Sequence, residues 1–367
     1  MANALSKEEL EGLLPYCQSE EQEAYLKAYI EHGSGAKAAK AIGKSERNLR
    51  EAVRRVRSYA EKGGFEKPEA KYNLELKDEL EAEVIAPMPN MDFIESTAVY
   101  KIITSKTQPE KANHLFIPDT QCKPDVSSDY MEWAGKYVVD RLPDVIIHIG
   151  DGFDMPSLSA YDRGKKKAEG KRVALDIKAG IDAFNRFLKP IYDYQQEQLR
   201  DTGKISYKPR MIYTCGNHEE RIMRHVNANP ELDGFLSYEN LRLKDMGWEF
   251  YDFLEPVVVN GVAYCHYMAN PMSGKPYGGQ AMNILKNVGE SFSCGHAQKL
   301  DVATRFLPAS GQQQWGLIAG AYYEHNEDYK GHQGNKHWRG LVVKHGVENG
   351  SYNPMFVDLD YLKERFG

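Results

Sequence analysis

Apolar and polar positions alternate in three different ways along the chain, and the changes mark three regions. Over residues 1–62 apolar residues recur at helical spacing. In "SEEQEAYLKAYIEHG", Ala24, Ala28 and Ile30 fall among charges, and Ser19 is placed to cap the helix. Gly33 and Gly35 punctuate; "AKAAKAIG" then predicts a short helix ending at Gly43. "KSERNLREAVRRVRSYAEKGG" opens on Ser45 as cap and carries Leu49, Val53 and Val56 on one face. Two helices across a short glycine-containing turn form a helix-turn-helix pattern. Residues 63–110 lose this periodicity, turn acidic, and carry glycine and proline near their ends; they predict a linker, either free or packed on the C-terminal domain.

From 111 to 367 strand and helix patterns alternate. "HLFIPDTQ", "DVIIHIGDG" and "RMIYTCGNHE" read as strands, separated by the helices "SSDYMEWAGKYVVDRL" and "KRVALDIKAGIDAFNRFLKPIYDYQQEQLR". "EPVVVNGVAYCHY", "SFSCGHAQ", "WGLIAGAYY" and "WRGLVVKHGVENGSYNPMFVDLD" add strands in the second half. The order predicts an α/β (α+β) domain with a parallel or mixed sheet covered by helices, behind a small all-α N-terminal domain.

Composition changes this picture little. A hydrophobic content of 41% supports a real core, and no run approaches the roughly 20 apolar residues of a membrane span. The N-terminus lacks a signal-peptide apolar core, and five cysteines without framework spacing point to a reducing compartment. The expectation is a cytoplasmic protein without a membrane partner. The net charge of −6 does not announce nucleic acid, but its distribution does. Lys37 to Lys62 carry nine lysines and arginines against three glutamates. That is the footprint of a phosphate-backbone binder, with Lys44, Arg47, Arg50, Arg54 and Arg55 as candidate DNA contacts. A solvated basic helix in a small bundle is the alternative.

Ligand-type residues follow apolar runs in five places: Asp119 and Gln121, Asp151 and Asp154, Asn217 and His218, His266, and His296 and Gln298. In α/β sheets ligands collect beyond the carboxyl ends of strands. Carboxylate, amide and imidazole brought to one edge suit borderline divalent metals such as Mn, Fe, Zn or Ni. Glycine before Asp151, Asn217 and His296 lets the backbone come close.

The ordered set "GD", "GNHE" and a final "GH" resembles the calcineurin-like metallophosphoesterase family over about residues 113–325. Phage-type phosphoesterases and repair nucleases look nearest, so a phage-encoded protein would act in the host cytoplasm. The resemblance implies a sandwich of two mixed β-sheets flanked by helices, with two divalent ions about 3.5–4 Å apart. Asp151 would bridge them. Asn217, His266 and His296 would complete one position, and Asp119, Gln121 and Gln298 the other. At 121 and 298 the family has histidine and this chain glutamine, a harder, neutral oxygen ligand that favours Mn²⁺ or Mg²⁺ over zinc. The second position is then either retuned to a harder or exchangeable ion or half empty. Mn²⁺ is the expected metal, with Mg²⁺, Fe or Zn²⁺ as alternatives.

The implied reaction is phosphodiester hydrolysis by metal-activated hydroxide. His218 would be the general acid, oriented by Asp154. The leading expectation is a DNA nuclease delivered by the helix-turn-helix. A phosphatase or small-ester phosphodiesterase, or a non-catalytic DNA-binding protein with a relic site, are the alternatives; the resemblance also allows a homo-oligomer. Arg163, Lys165 and Lys166, in a basic run, and Arg221 and Arg224, after "GNHE", are candidate substrate contacts, with Tyr161 and Trp338 as stacking candidates. His148, inside a strand, reads as structural; His225, His325, His332, His337 and His345 read as surface residues. The segment 324–338, with three histidines, reads as a hydrated loop near the site. Cys122, Cys215, Cys265 and Cys294 flank motif residues and read as core, since neighbours on a strand face opposite ways.

Overall fold

The structure is a computed structural model, describing residues 7–17, 19–61, 98–160, 165–166, 169–327 and 330–367. The chain divides into two compact units, Met1–Leu80 and Glu81–Gly367.

The first unit is helical: α1 (Lys7–Leu13), α2 (Glu20–His32), α3 (Gly35–Ala41) and α4 (Glu46–Glu61). Ser19 caps α2 by accepting from the Gln22 N–H, and Gly33 ends it at φ 69°, a left-handed conformation natural to glycine. Ser34 caps α3 in the same way. Leu49, Val53 and Val56 of α4 are buried, as their spacing predicts, and Ala52 joins them. In α2 the prediction shifts by a residue or two. Ala24 is exposed; Tyr25, Leu26 and Ala28 reach the core and Ile30 packs at its edge. Charge flanks both sets of positions, so the local pattern did not separate them.

The second unit holds two mixed sheets. In the first, the order is β11 (Ser351–Asp358), β10 (Gly340–Glu348), β1 (Ala112–Ile117), β2 (Val145–His148), β3 (Arg210–Thr214), β4 (Glu249–Tyr251). The run from β1 to β4 is parallel, and β10 and β11 add an antiparallel edge. The second sheet runs β5 (Val257–Val259), β6 (Val262–Tyr264), β7 (Ser291–Cys294), β9 (Gln312–Ile318), β8 (Asp301–Leu307), with β6, β7 and β9 parallel. The hairpins β5–β6 and β10–β11 turn at Asn260-Gly261 and Asn349-Gly350, where both residues have positive φ.

Strand alternation assigns the layers. Phe116, Val145, Ile147, Ile212, Val259, Tyr264, Leu317 and Val342 form one cluster contributed by both sheets. On the outer face of the first sheet, Leu115, Ile146, Met211 and Tyr213 pack with α5 (Asp129–Arg141), α6 (Val173–Thr202) and α10 (Leu359–Phe366). On that of the second, Ala263, Phe292 and Cys294 pack with α8 (Ala281–Val288). The result is a helix–sheet–sheet–helix sandwich. Short helices α7 (Glu220–Ala228) and α9 (Gly331–Gly334) lie in the connections.

Residues 98–110, read as the end of a linker, are tied to this unit. Tyr100 N–H donates to Asn185 Oδ1 (3.0 Å), Ile102 N–H to the Met246 carbonyl (3.2 Å) and Ile103 N–H to Gln195 Oε1 (3.0 Å). Residues 63–97 lie outside the described ones. Among the described residues no helix is long and apolar enough to cross a membrane.

A lysine sits between the sheets. Lys344 is fully buried, its Nζ donating to Tyr264 Oη (3.1 Å) and Ser293 Oγ (2.5 Å) beside the Phe116 and Tyr352 rings. Burial holds its amine well below the ordinary lysine range. The unfolded chain therefore binds a proton that the folded one does not, and stability rises with pH up to lysine's unfolded pKa. Between pH 7 and 9, wild type should gain about 1.4 kcal/mol per pH unit over Lys344→Met in urea unfolding while Lys344 stays neutral in the fold. A constant gap would show the lysine charged inside the sandwich.

Candidate metal centre

Five strand ends converge as the sheets pack. Asp119 follows β1 by two residues, Asp151 follows β2 by three, Asn217 and His218 follow β3, His266 follows β6 and His296 follows β7. The loops after β1 and β2 run side by side: Gln121 N–H donates to the Asp151 carbonyl and Cys122 N–H to that of Gly152, both at 2.8 Å.

A residue that motif reading passed over organises this edge. Glu219 is fully buried, and its carboxylate accepts from the N–H groups of Asp151 (3.0 Å), Phe153 (2.8 Å) and Gly216 (2.9 Å) and from Tyr213 Oη (2.7 Å). It bolts the loop after β2 to the loop after β3. The only signal in the sequence was the E of "GNHE". Gly216 has to be glycine, since a Cβ there would stand 2.2 Å from Asp151 N. A Cβ at Gly295 would likewise stand 2.2 Å from Asp119 Oδ1. These glycines serve close approach rather than the turn itself. Instead, Gln121 (φ 43°), Asp151 (φ 48°), His296 (φ 62°) and Gln298 (φ 49°) adopt left-handed conformations that cost non-glycine residues energy. Four candidate ligands thus carry the backbone strain.

Asp151, His266 and His296 present ligand atoms within 4.8 Å of one another. The Asn217 amide oxygen lies 2.9 Å from His266 Nε2 and 2.7 Å from His296 Nδ1. Asp151 Oδ2 lies 3.4 Å from His266 Nε2, while Oδ1 accepts the His218 N–H at 2.9 Å. His266 Nδ1 bonds the Ile149 carbonyl (2.8 Å), a partner that can only accept, so Nε2 is left to face the centre. One carboxylate, one amide oxygen and two imidazoles fit a borderline divalent ion.

The other sequence-picked ligands stand differently. Asp119 Oδ2 and both polar atoms of Gln121 are buried without a hydrogen-bond partner among the described residues. The Gln298 oxygen accepts from Tyr323 Oη (2.9 Å) and from Lys330 Nζ.

His218 Nδ1 lies 2.7 Å from Asp154 Oδ1, leaving Nε2 3.6 Å from Asp151 Oδ2. Lys123 Nζ extends the chain, 3.5 Å from Asp154 Oδ2 and 2.5 Å from Glu327 Oε1. Arg221 donates to the carbonyls of Asp154 (2.7 Å) and Met155 (3.3 Å), so it braces the dyad's backbone. Arg224 is exposed near Glu220 (3.9 Å), and Lys165 and Lys166 are exposed. Arg163 and Tyr161 lie outside the described residues, and Trp338 packs edge-on against Phe356.

His148 is structural, its Nε2 3.0 Å from Thr120 Oγ1 and its ring stacked on Tyr213. His325 departs from its surface reading. It stacks on Tyr323 at 4.5 Å and lies 2.7 Å from Glu327 Oε1, with a side chain 9% exposed. His225 and His337 are half-buried, His345 is exposed, and the His332 side chain lies outside the described residues. All five cysteines are buried and unpaired by disulfides. On α4, Arg50 and Arg54 are exposed and Arg55 pairs with Glu51 (2.9 Å), and Lys44, just before it, pairs with Glu21 (3.3 Å); the Arg47 side chain lies outside the described residues.

No protein-family profile matches the chain. It is 24% identical over 213 residues to the Gene 54 protein of Mycobacterium phage L5, a stretch covering 56% of this chain and 77% of that protein. The sequence thus has a phage relative, whose name carries no activity.

Electrostatics follow from burial and charge. Burial alone would raise the Asp151 carboxyl, but the imidazoles of His218 and His266 hold it well below the usual range. Against its own burial, His266 is lifted by Asp151 to about 9. Burial and His266 lower His296 to about 4. Burial pushes the Asp119 carboxyl up. An ion bound by this cluster would have to displace the His266 proton, so divalent-ion affinity should rise about tenfold per pH unit between pH 6 and 8. Calorimetry in buffers of different ionisation enthalpy should find about one proton released per ion bound. Glu219→Ala, which strands three buried N–H groups, should cost on the order of 4 kcal/mol in chemical unfolding.

Proposed function

We propose that this protein is a divalent-metal-dependent phosphodiesterase that cuts DNA. The observation that carries the reading is the Asp151–His266–His296 cluster beside the His218–Asp154 dyad. The motif order supports the calcineurin-like metallophosphoesterase family, as does the helix–sheet–sheet–helix layering. The phage relative supports a setting in host cytoplasm.

Asp151, Asn217, His266 and His296 would hold the ion, Mn²⁺ by preference. When bound, a divalent ion there makes water more acidic and offsets charge on phosphoryl oxygens. The chain's own residues do the rest. Asp154 accepts from His218 Nδ1 and fixes the ring, so the Nε2 proton is aimed into the centre. Though burial opposes it, Asp151 and Asp154 raise His218 above the ordinary histidine value, favouring its protonated form. That is the state required to protonate a leaving oxygen.

The basic stretch of α3 and α4 is read as the DNA-binding element. Its helices pack on an apolar face and leave arginines on the other.

Purified protein with Mn²⁺ should nick or degrade plasmid DNA, and Asp151→Ala should abolish this. Hydrolysis confined to p-nitrophenyl esters would remove DNA as substrate. His218→Ala should lower kcat about 10²–10⁴-fold with Mn²⁺ affinity retained. Wild-type activity should fall as pH rises through the elevated His218 pKa, and that alkaline limb should vanish in the variant.

A further inference from the structure

The second cation position of this centre contains a side chain that the motif reading did not anticipate. Gln298 stands where the resembled family has a metal-ligating histidine, and its oxygen accepts from Lys330 Nζ. The same Nζ lies 3.2 Å from Tyr323 Oη, which itself bonds the Gln298 oxygen. Asp119, whose charge acts on the Lys330 amine, has Oδ2 buried without a partner among the described residues; Gln121 Oε1 is buried likewise, and both are oxygens that something positively charged or donating would satisfy.

We propose that the ammonium of Lys330 fills this second position, so that the centre works with one divalent ion and one charge of its own. The inference rests on the phosphodiesterase reading above. Three features support it. A glutamine oxygen is a good acceptor for an ammonium and a poorer ligand than imidazole for a borderline metal. Lysine places a compact charge on a flexible stem, suited to facing phosphate as a point charge. And the loop carrying Lys330 is stapled in place. Asn335 bonds the Glu327 backbone twice, at 2.8 Å each, and Arg339 donates to the carbonyls of Tyr323 (3.1 Å) and Glu324 (2.6 Å). Glu327, 5% exposed, reaches Lys123 and through it Asp154. The histidine-rich segment thus serves the centre through its lysine and its glutamate.

The test is metal stoichiometry of the full chain by elemental analysis, with electron paramagnetic resonance on bound Mn²⁺. Wild type should bind one ion and show an isolated six-line spectrum. Lys330→Met should gain a second ion and show exchange coupling between the two, and Lys330→Arg should stay at one. Circular dichroism checks that each variant is folded. Two ions in wild type, or no gain in a folded Lys330→Met, would overturn the proposal and leave the phosphodiesterase reading standing. No ion in wild type would overturn both.

Discussion

The centre depends on a buried carboxylate that never faces its interior. Glu219 gathers three backbone N–H groups and a tyrosine hydroxyl from two neighbouring strand ends. Peptide donors at a sheet's edge cannot stay buried without acceptors. By accepting them, Glu219 lets the loops after β2 and β3 approach until Gly216 touches Asp151 backbone to backbone. That contact brings Asp151 within reach of His266, a residue of the other sheet. The two layers meet at the site because this junction permits it.

Charge at the site is arranged against its surroundings. Asp119, Asp151, Asp154 and Glu219 are all buried at one edge. Asp151 has His218 and His266 beside it, and Asp154 has His218, Lys123 and Arg221. Asp119 Oδ2 has no hydrogen-bonding partner among the described residues. A buried carboxylate oxygen left without a donor is expensive, and strained left-handed ligands are a further cost. Both are tolerable where an external cation or the protein's own ammonium recovers the energy.

The loop from Tyr323 to Arg339 links two halves of the centre that lie far apart in sequence. Through Lys330 it reaches Gln298, and through Glu327 and Lys123 it reaches the Asp154–His218 dyad. On the proposed reading, a shift in this loop would alter both the Gln298 oxygen's surroundings and the orientation of His218.

Much of this was legible in the sequence by itself. Period-two and period-3.6 patterns located the principal strands and helices, because burial of one face enforces them. Serine and glycine at helix ends marked the caps of α2, because unpaired terminal N–H and C=O groups select them. Polar residues after apolar runs marked Asp151, Asn217, His218, His266 and His296, because strand ends are where a packed sheet opens to ligands. Tertiary structure alone decided what depends on distant contacts. Short edge strands such as β4 and the strand β8, with its exposed alternate residues, carry too little local signal. Arg221 is spent on backbone carbonyls, His325 on Tyr323 and Glu327, and Lys330 on Gln298. Each of those partners lies across the fold or around a turn. A charged side chain has the same local appearance whether solvent or a buried oxygen receives it, and only packing distinguishes them.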